Sequence, residues 1–206
     1  SACVYAAEKQ KSANNKGLKE TDAYPAMAED GYGWEKLFSE RMCRHFMEDY
    51  GLETRVARFH NVYGPNGDYN TGREKAPAAL TRKIIEAQKN KSYEIEIWGD
   101  GKQTRSFMYI DDCVKGIDLI THSDIREPIN LGSEEMVSIN QLTKIIEDIA
   151  KIKIKKNYKL DAPKGVRGRS SDNTLIRKYL KWEPSISLKK GLKHLYQWIE
   201  KEENSK

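Results

Sequence analysis

The chain has little of what would tie it to a membrane or staple it covalently. No run of ~18 apolar residues occurs among its 206 residues, which excludes a hydrophobic membrane-crossing helix. The first residues lack the basic and apolar blocks of a secretory signal, so the expected compartment is the cytoplasm, with no membrane partner. Cysteine is scarce: Cys3, Cys43 and Cys113 form an odd set with no Cys-x-x-Cys spacing, which argues against a disulfide scaffold and a zinc site. No metal is expected.

Charge is not dominated by one sign either. Lys+Arg 36 against Asp+Glu 31 leaves +5, a balance that permits a polyanionic partner without demanding one. The one dense basic run, Lys151 to Lys159, is interleaved with Ile152 and Ile154 as a half-buried strand would be. It reads as a solvated strand face, so no nucleic-acid partner is expected. What remains, 38% hydrophobic and 33% charged residues, is the composition of a well-solvated globular chain long enough to bury a core. The opening Ser1-Ala2-Cys3-Val4-Tyr5 reads as the end of a buried strand, and the chain as a piece of a longer protein.

Apolar residues at helical spacing predict a helix over 32–50, with Gly51 where a C-terminal cap belongs. Strands are predicted over 2–5, 54–59, 93–98, 105–110, 129–131 and 152–160. Helices are predicted from Pro77 to about Asn90, from a cap at Asp111 or Asp112 to about Thr121, and from a Ser138 cap to Ala150. Short helix 173–180 and an amphipathic helix from Ser187, with Leu188, Leu192, Leu195 and Trp198 on one face, complete the chain. Alternating strands and helices make this an α/β protein.

Tyr32 and Lys36 stand four apart on the predicted helix, where an ammonium beside a phenol favours phenolate and makes a general base. The spacing alone is weak, because Tyr5 and Lys9 repeat it; the loop after Tyr5 favours Tyr32. Cys43 and Cys113 read as structural thiols, and His60 as a polar group at a strand end with no assigned role.

Context strengthens the pair. Ser1 to Tyr5, then Tyr32-Gly33-Trp34-Glu35-Lys36, then Arg58-Phe59-His60-Asn61-Val62-Tyr63-Gly64-Pro65 follow in order, with Trp98-Gly99-Asp100-Gly101 and Arg126 to Gly132 further on. This series resembles the extended short-chain dehydrogenase/reductase family of sugar-nucleotide enzymes. The resemblance covers nearly the whole chain. It implies the C-terminal part of a Rossmann-like doubly wound parallel sheet with a smaller α/β substrate domain. Residues 1–65 would belong to the NAD-binding domain, 66–206 mainly to the substrate domain, and 105–132 would return to the sheet.

Cys3, the loop Gly72-Arg73-Glu74-Lys75-Ala76-Pro77, and Gly165 to Asn173 are similar to the branch that epimerises a GDP-sugar at carbons 3 and 5. That likeness implies NAD as cofactor, with Tyr32 removing the 4-hydroxyl proton, Lys36 tuning Tyr32 and holding the ribose, and Ser1 bonding the oxygen at carbon 4. A hydrogen on a sugar carbon is not acidic until the neighbouring carbon is a ketone, so oxidation at carbon 4 comes first. Inversion then needs a base on one face and an acid on the other, and the resemblance supplies Cys3 and Lys75. It also implies that Asn61, Lys75, Lys83, Gln103, Arg105 and Arg167, with Arg169 as an addition, bind the substrate, since guanidinium binds phosphate bidentately. A homodimer through the 32–50 helix is implied as well.

The family's glycine-rich dinucleotide turn belongs upstream of the serine block. Gly31-Tyr32-Gly33 and Gly165 to Gly168 lack its strand-turn-helix context, so the piece is expected to bind NAD poorly alone. A different sugar-nucleotide epimerase, a 4,6-dehydratase, or a non-catalytic sugar-nucleotide-binding piece stay open as readings at this point.

Overall fold

Strands far apart in sequence pair in parallel and set the frame of the molecule. The computed structural model describes residues 1–206 apart from Lys164 and Lys206. A first helix, α1, spans Gly31–Tyr50; the Asp30 carboxylate caps it by accepting from the Gly33 N–H at 2.7 Å, and Gly51 closes it at φ 68°. The chain then forms β1 (Ala57–Phe59), β2 (Val62–Tyr63), α2 (Ala76–Lys89), β3 (Glu94–Trp98), β4 (Thr104–Ser106), β5 (Met108–Tyr109) and α3 (Ile110–Thr121). There follow β6 (Ile129–Leu131), β7 (Met136–Ser138), α4 (Ile139–Ala150), β8 (Lys155–Lys159), β9 (Gly168–Arg169), α5 (Thr174–Leu180) and α6 (Leu188–Asn204).

β1 lies parallel to β6 with Phe59 beside Leu131, and β2 parallel to β5. The helices between these partners make the right kind of crossover for an α/β sheet. β3 pairs in parallel with β8, and β4 runs between antiparallel β7 and parallel β9.

The largest core gathers Ile84, Ile97, Leu142, Ile146, Leu192, Leu195 and Ile199, where α2, α4, α6 and β3 meet. Each such side chain, fully withdrawn from water, contributes roughly 1.5–3 kcal/mol. A second core joins Met108, Cys113, Ile129 and Leu131 to Ile176 and Trp182, so α5 packs on the β1–β6 pair. A third, small core of Ala2, Val4, Tyr5, Leu18 and Leu37 fastens the first residues to α1. Among the described residues, no helix is long and apolar enough to cross a membrane.

Two sequence expectations fail. Residues 2–5 form no strand: Ala2–Val4 is a 3-10 turn, because the Ser1 hydroxyl accepts from the Cys3 N–H at 3.3 Å and the Val4 N–H reaches the Ser1 carbonyl. Neither Asp111 nor Asp112 caps α3, whose N-cap is Tyr109. The buried Asp112 carboxylate instead accepts from Ser185 and Ile186 backbone N–H groups at 3.1 and 2.9 Å, tying α3 to the stretch before α6. Several strands are shorter than the patterns suggested. The predicted strand 105–110 divides into β4 and β5, and 54–59 and 152–160 pair only at 57–59 and 155–159. Ser138 caps α4 with a reciprocal box to Gln141, as its spacing predicts.

The basic run does face solvent. Lys155, Lys156 and Lys159 pair with Glu94, Glu147 and Glu96 at 3.3, 3.4 and 3.8 Å, so acids from β3 and α4 neutralise it locally.

Candidate active site

The first turn of α1 and the Ser1–Val4 turn are pressed together by a missing side chain. A Cβ on Gly33 would lie 2.1 Å from the Cys3 carbonyl oxygen, so only glycine allows this approach. The Glu29 N–H donates to that same oxygen at 3.0 Å. Ser1 and Cys3 are thereby carried against the end of the helix that bears Tyr32 and Lys36.

Tyr32 is half exposed, and the Lys36 ammonium stands 5.1 Å from the centroid of its ring. A 2.8 Å bond to Glu35 holds Lys36 above the ordinary lysine range. Tyr5, the rival with the same spacing to a lysine, has the opposite surroundings. Its hydroxyl is fully buried, donates to Asn130 Oδ1 at 2.5 Å and accepts from Arg58 at 3.3 Å, while Lys9 turns away to Asp22. Burial raises the Tyr5 phenol well above its usual value, which disqualifies it as a base at neutral pH.

Beneath this surface lies a buried polar network that sequence reading did not isolate. Arg58, 1% exposed, forks onto both Glu40 carboxylate oxygens at 2.9 and 2.7 Å and donates to the Glu20 carbonyl at 2.8 Å. The Glu20 carboxylate accepts from the Asn130 N–H at 2.9 Å, and His60 Nε2 meets Asn130 Oδ1 at 3.0 Å. Complete burial pushes the His60 imidazole down to about 3, so the ring is neutral at physiological pH. The network joins α1, β1, β6 and the Tyr5 turn. Its only sequence signal is a set of charged and polar residues at strand and helix positions expected to face inward.

Arg169 reaches Cys3 from the opposite wall. Gly168 allows this, since a Cβ there would lie 2.0 Å from the Ser12 carbonyl oxygen. The Arg169 guanidinium is buried; it donates to Gln10 Oε1 at 2.5 Å, pairs with the Glu29 carboxylate, and its Nη1 lies 3.8 Å from Cys3 Sγ. Arg105 sits beside Arg169 in the β4–β9 register and donates to the Thr104 and Val166 carbonyls. Burial and the like charge of Arg169 push the Arg105 guanidinium down to about 10, against an upward pull from Glu29. The wall is thus strongly cationic.

The remaining sequence-predicted residues lie around this centre with their own partners. Asn61, at φ 30°, donates to the Ser106 carbonyl at 3.0 Å, and Gln103 donates to the Trp98 carbonyl at 2.8 Å while its buried Oε1 has no partner. Lys83 reaches the Glu96 carbonyl at 3.1 Å, and Arg167 forks onto Asp100, holding that exposed carboxyl down to about 2. Lys75 is exposed just before α2 and makes no side-chain cap. The Gly33 contact brings the Ser1–Cys3 turn to the helix of Tyr32 and Lys36, and Arg169, with Arg105 beside it, joins the Cys3 side. Cys113 is buried, its thiol pushed up to about 11, and Cys43 is half-buried on α1. No cluster of metal ligands occurs among the described residues.

The chain is similar to known proteins over nearly its whole length. Residues 1–132 match the family model described as the NAD dependent epimerase/dehydratase family. A GDP-mannose 3,5-epimerase of Arabidopsis thaliana is 48% identical over 98% of this chain and 52% of its own length. The chain thus spans about half the length of the curated relatives it matches. Among solved structures, UDP-glucose 4-epimerase of Thermotoga maritima with UDP-glucose superposes with a TM-score of 0.80 at 29% identity, covering 94% of this chain and 62% of that one. A UDP-glucuronic acid 4-epimerase of Bacillus cereus, in complex with UDP-glucuronic acid and NAD, gives 0.78 at 25% identity over 94% of this chain and 59% of that one.

Proposed function

The chain belongs to the NAD dependent epimerase/dehydratase family, and we propose that it serves the 3,5-epimerisation of GDP-mannose to GDP-L-galactose, with GDP-L-gulose as by-product, through a 4-keto sugar. The observation that carries this reading is the Cys3 thiol lying 3.8 Å from the Arg169 guanidinium while its backbone rests on the helix of Tyr32 and Lys36. A 4-epimerase needs no second acid–base group on the sugar carbons, and a 4,6-dehydratase needs one at carbon 5 and the 6-hydroxyl but none at carbon 3. The 48% identity to a GDP-mannose 3,5-epimerase supports the same choice.

An exposed phenol and an exposed ammonium on one helix face suit the nicotinamide ribose end of NAD. When bound, NAD supplies a hydride acceptor that takes the carbon 4 hydrogen and later returns it. Tyr32 takes the proton of the 4-hydroxyl, and Lys36 on the same helix face bonds the ribose. Ser1 donates to the oxygen at carbon 4. With a ketone there, Cys3 and Lys75 act from opposite faces, one removing the proton from carbon 3 or 5 and the other returning it. Arg105, Arg167, Lys83, Asn61 and Gln103 bind the nucleotide phosphates and sugar, the arginines by bidentate bonds.

The protein works as a homodimer through α1. Trp34, Phe38, Met42, Phe46 and Tyr50 recur every fourth residue on that helix, and all are exposed. An apolar stripe of this length on a helix is the surface expected to meet a second copy of itself.

The test follows the sugar hydrogens by proton NMR after incubating the full-length protein with NAD and GDP-mannose in heavy water. Deuterium at carbons 3 and 5 is the expected result. A sugar that is altered only at carbon 4, or loses its 6-hydroxyl, overturns the assignment.

A further inference from the structure

Cys3 is held by Glu29 at both ends of the residue. The Glu29 backbone N–H donates to the Cys3 carbonyl at 3.0 Å, and the Glu29 carboxylate pairs with the guanidinium whose Nη1 reaches Cys3 Sγ at 3.8 Å. The contacts close a ring: Cys3 backbone, Glu29 backbone, Glu29 carboxylate, Arg169, Cys3 sulfur. Arg169 is fixed from its third side by Gln10, itself fully buried and anchored on the Tyr5 and Ala6 carbonyls at 3.2 and 3.3 Å. The side chains of Arg169 and Glu29 are only 10% and 20% exposed, so water screens their charges weakly.

We infer that Glu29 is a positioning residue for Cys3, acting through Arg169: it aims the guanidinium at the sulfur and offsets part of its charge, keeping Cys3 able both to give and to take a proton. This deepens the proposed function and rests on it. A guanidinium alone beside a thiol stabilises the thiolate, a good base and a poor acid. An acid–base group that serves two carbons must be regenerated in both forms. A carboxylate on the far side of the guanidinium draws the balance back toward the thiol.

The charged groups that face this ring are few. Arg169 comes from β9 and Glu29 from the loop before α1. Arg105 from β4 senses both of them. His60 lies near Arg169 but is neutral. Among these, Glu29 is the acid in contact with Arg169.

Iodoacetamide alkylates thiolate only, and peptide mass spectrometry reads Cys3 apart from Cys43 and Cys113, so the alkylation rate of Cys3 against pH in the full-length protein tests the inference. Glu29→Gln keeps an acceptor for Arg169 but loses the charge, and the midpoint is expected to fall by ~1 pH unit. Arg169→Met is expected to raise it by a similar amount. Glu29→Asp keeps the charge and is expected to restore most of the wild-type midpoint. Opposite signs for the first two variants are the signature, because a general loosening of the fold would move both the same way. An unchanged midpoint in Glu29→Gln, or a shift of equal sign in Glu29→Gln and Arg169→Met, overturns the inference. Should Arg169→Met fail to fold, the two Glu29 variants decide it. Failure of the underlying function is read elsewhere: deuterium exchange at carbons 3 and 5 that survives Cys3→Ala removes the catalytic role of Cys3, whatever the alkylation curve shows.

Discussion

Gly33 and the Cys3 carbonyl are in contact so close that a single methyl group on Gly33 would stand 2.1 Å from the oxygen. The obstacle is backbone, which cannot swing aside as a long side chain would. The Cys3 turn and the Tyr32 helix are therefore locked at one separation, which the absence of a side chain on Gly33 permits.

Replacing Gly33 by Ala is expected to destabilise the protein by ~1–3 kcal/mol, the usual cost of overpacking. The same change is expected to cut deuterium exchange at carbons 3 and 5 by more than tenfold, because a displacement of ~1 Å at a reacting group costs about 100-fold. Thermal unfolding and the heavy-water assay measure the two effects. Wild-type exchange in a folded Gly33→Ala protein would show that the contact does not set the reacting distance.

The two tyrosines separate by variant. Tyr32→Phe is expected to lose about 100- to 10,000-fold in turnover with little change in stability, since it removes a general base from a half-exposed position. Tyr5→Phe leaves Asn130 and Arg58 short of a buried partner and is expected to cost ~1–3 kcal/mol while keeping turnover in the surviving folded protein. The reverse pattern in kcat would move the base to Tyr5.

Glu40→Gln breaks a buried fork and leaves Arg58 with an uncompensated charge, and ~3–5 kcal/mol of destabilisation is expected in urea unfolding. Replacing both partners, Glu40→Met with Arg58→Met, removes both charges and is expected to regain most of that loss. A double variant as unstable as the single would contradict the electrostatic account.

His60 gives the protein a pH-dependent stability. Its folded value, pushed down to about 3 by burial, lies below the unfolded value near 6.5, so between these limits the unfolded chain binds a proton that the folded chain refuses. Stability contributed by the neutral ring is present above pH ~6.5 and is lost as pH falls toward 3, at up to about 1.4 kcal/mol per pH unit. Urea midpoints measured from pH 7 to pH 4 are expected to fall, and His60→Gln, which keeps a donor for Asn130, is expected to flatten that fall. An equal slope in the variant would assign the acid sensitivity elsewhere.

Phe38→Glu places a charge in the middle of the exposed α1 stripe, and sedimentation velocity is expected to show a dimer for the unaltered full-length protein and a monomer for the variant. A dimer that persists would put the interface on another face.

Helix α1 was legible from the sequence because its cap at Gly51, its apolar spacing and the Tyr32–Lys36 pair are all local, within a few turns of one element. The Ser138 box of α4 and the Leu188, Leu192 and Leu195 face of α6 were legible for the same reason. Residues 2–5 misled because a short apolar stretch has no period to read. What decided its 3-10 form was the Ser1 cap and the close approach of Gly33, thirty residues away. Asp112 looked like a cap by position and was drawn instead to the N–H groups of Ser185 and Ile186.

The sequence by itself determined the alternating elements, the charge balance and the family resemblance, and singled out Tyr32, Lys36 and Cys3 as candidates, because these reside in residue type and local spacing. Only the tertiary structure decided that Tyr5 is buried, that Arg58 and Glu40 form a closed pair, and that Arg169 with Glu29 arrives at Cys3. Those facts depend on burial and on contacts across 18 to 166 residues of chain, where a charge changes its meaning with its dielectric surroundings and its partner, and neither is written in the residue itself.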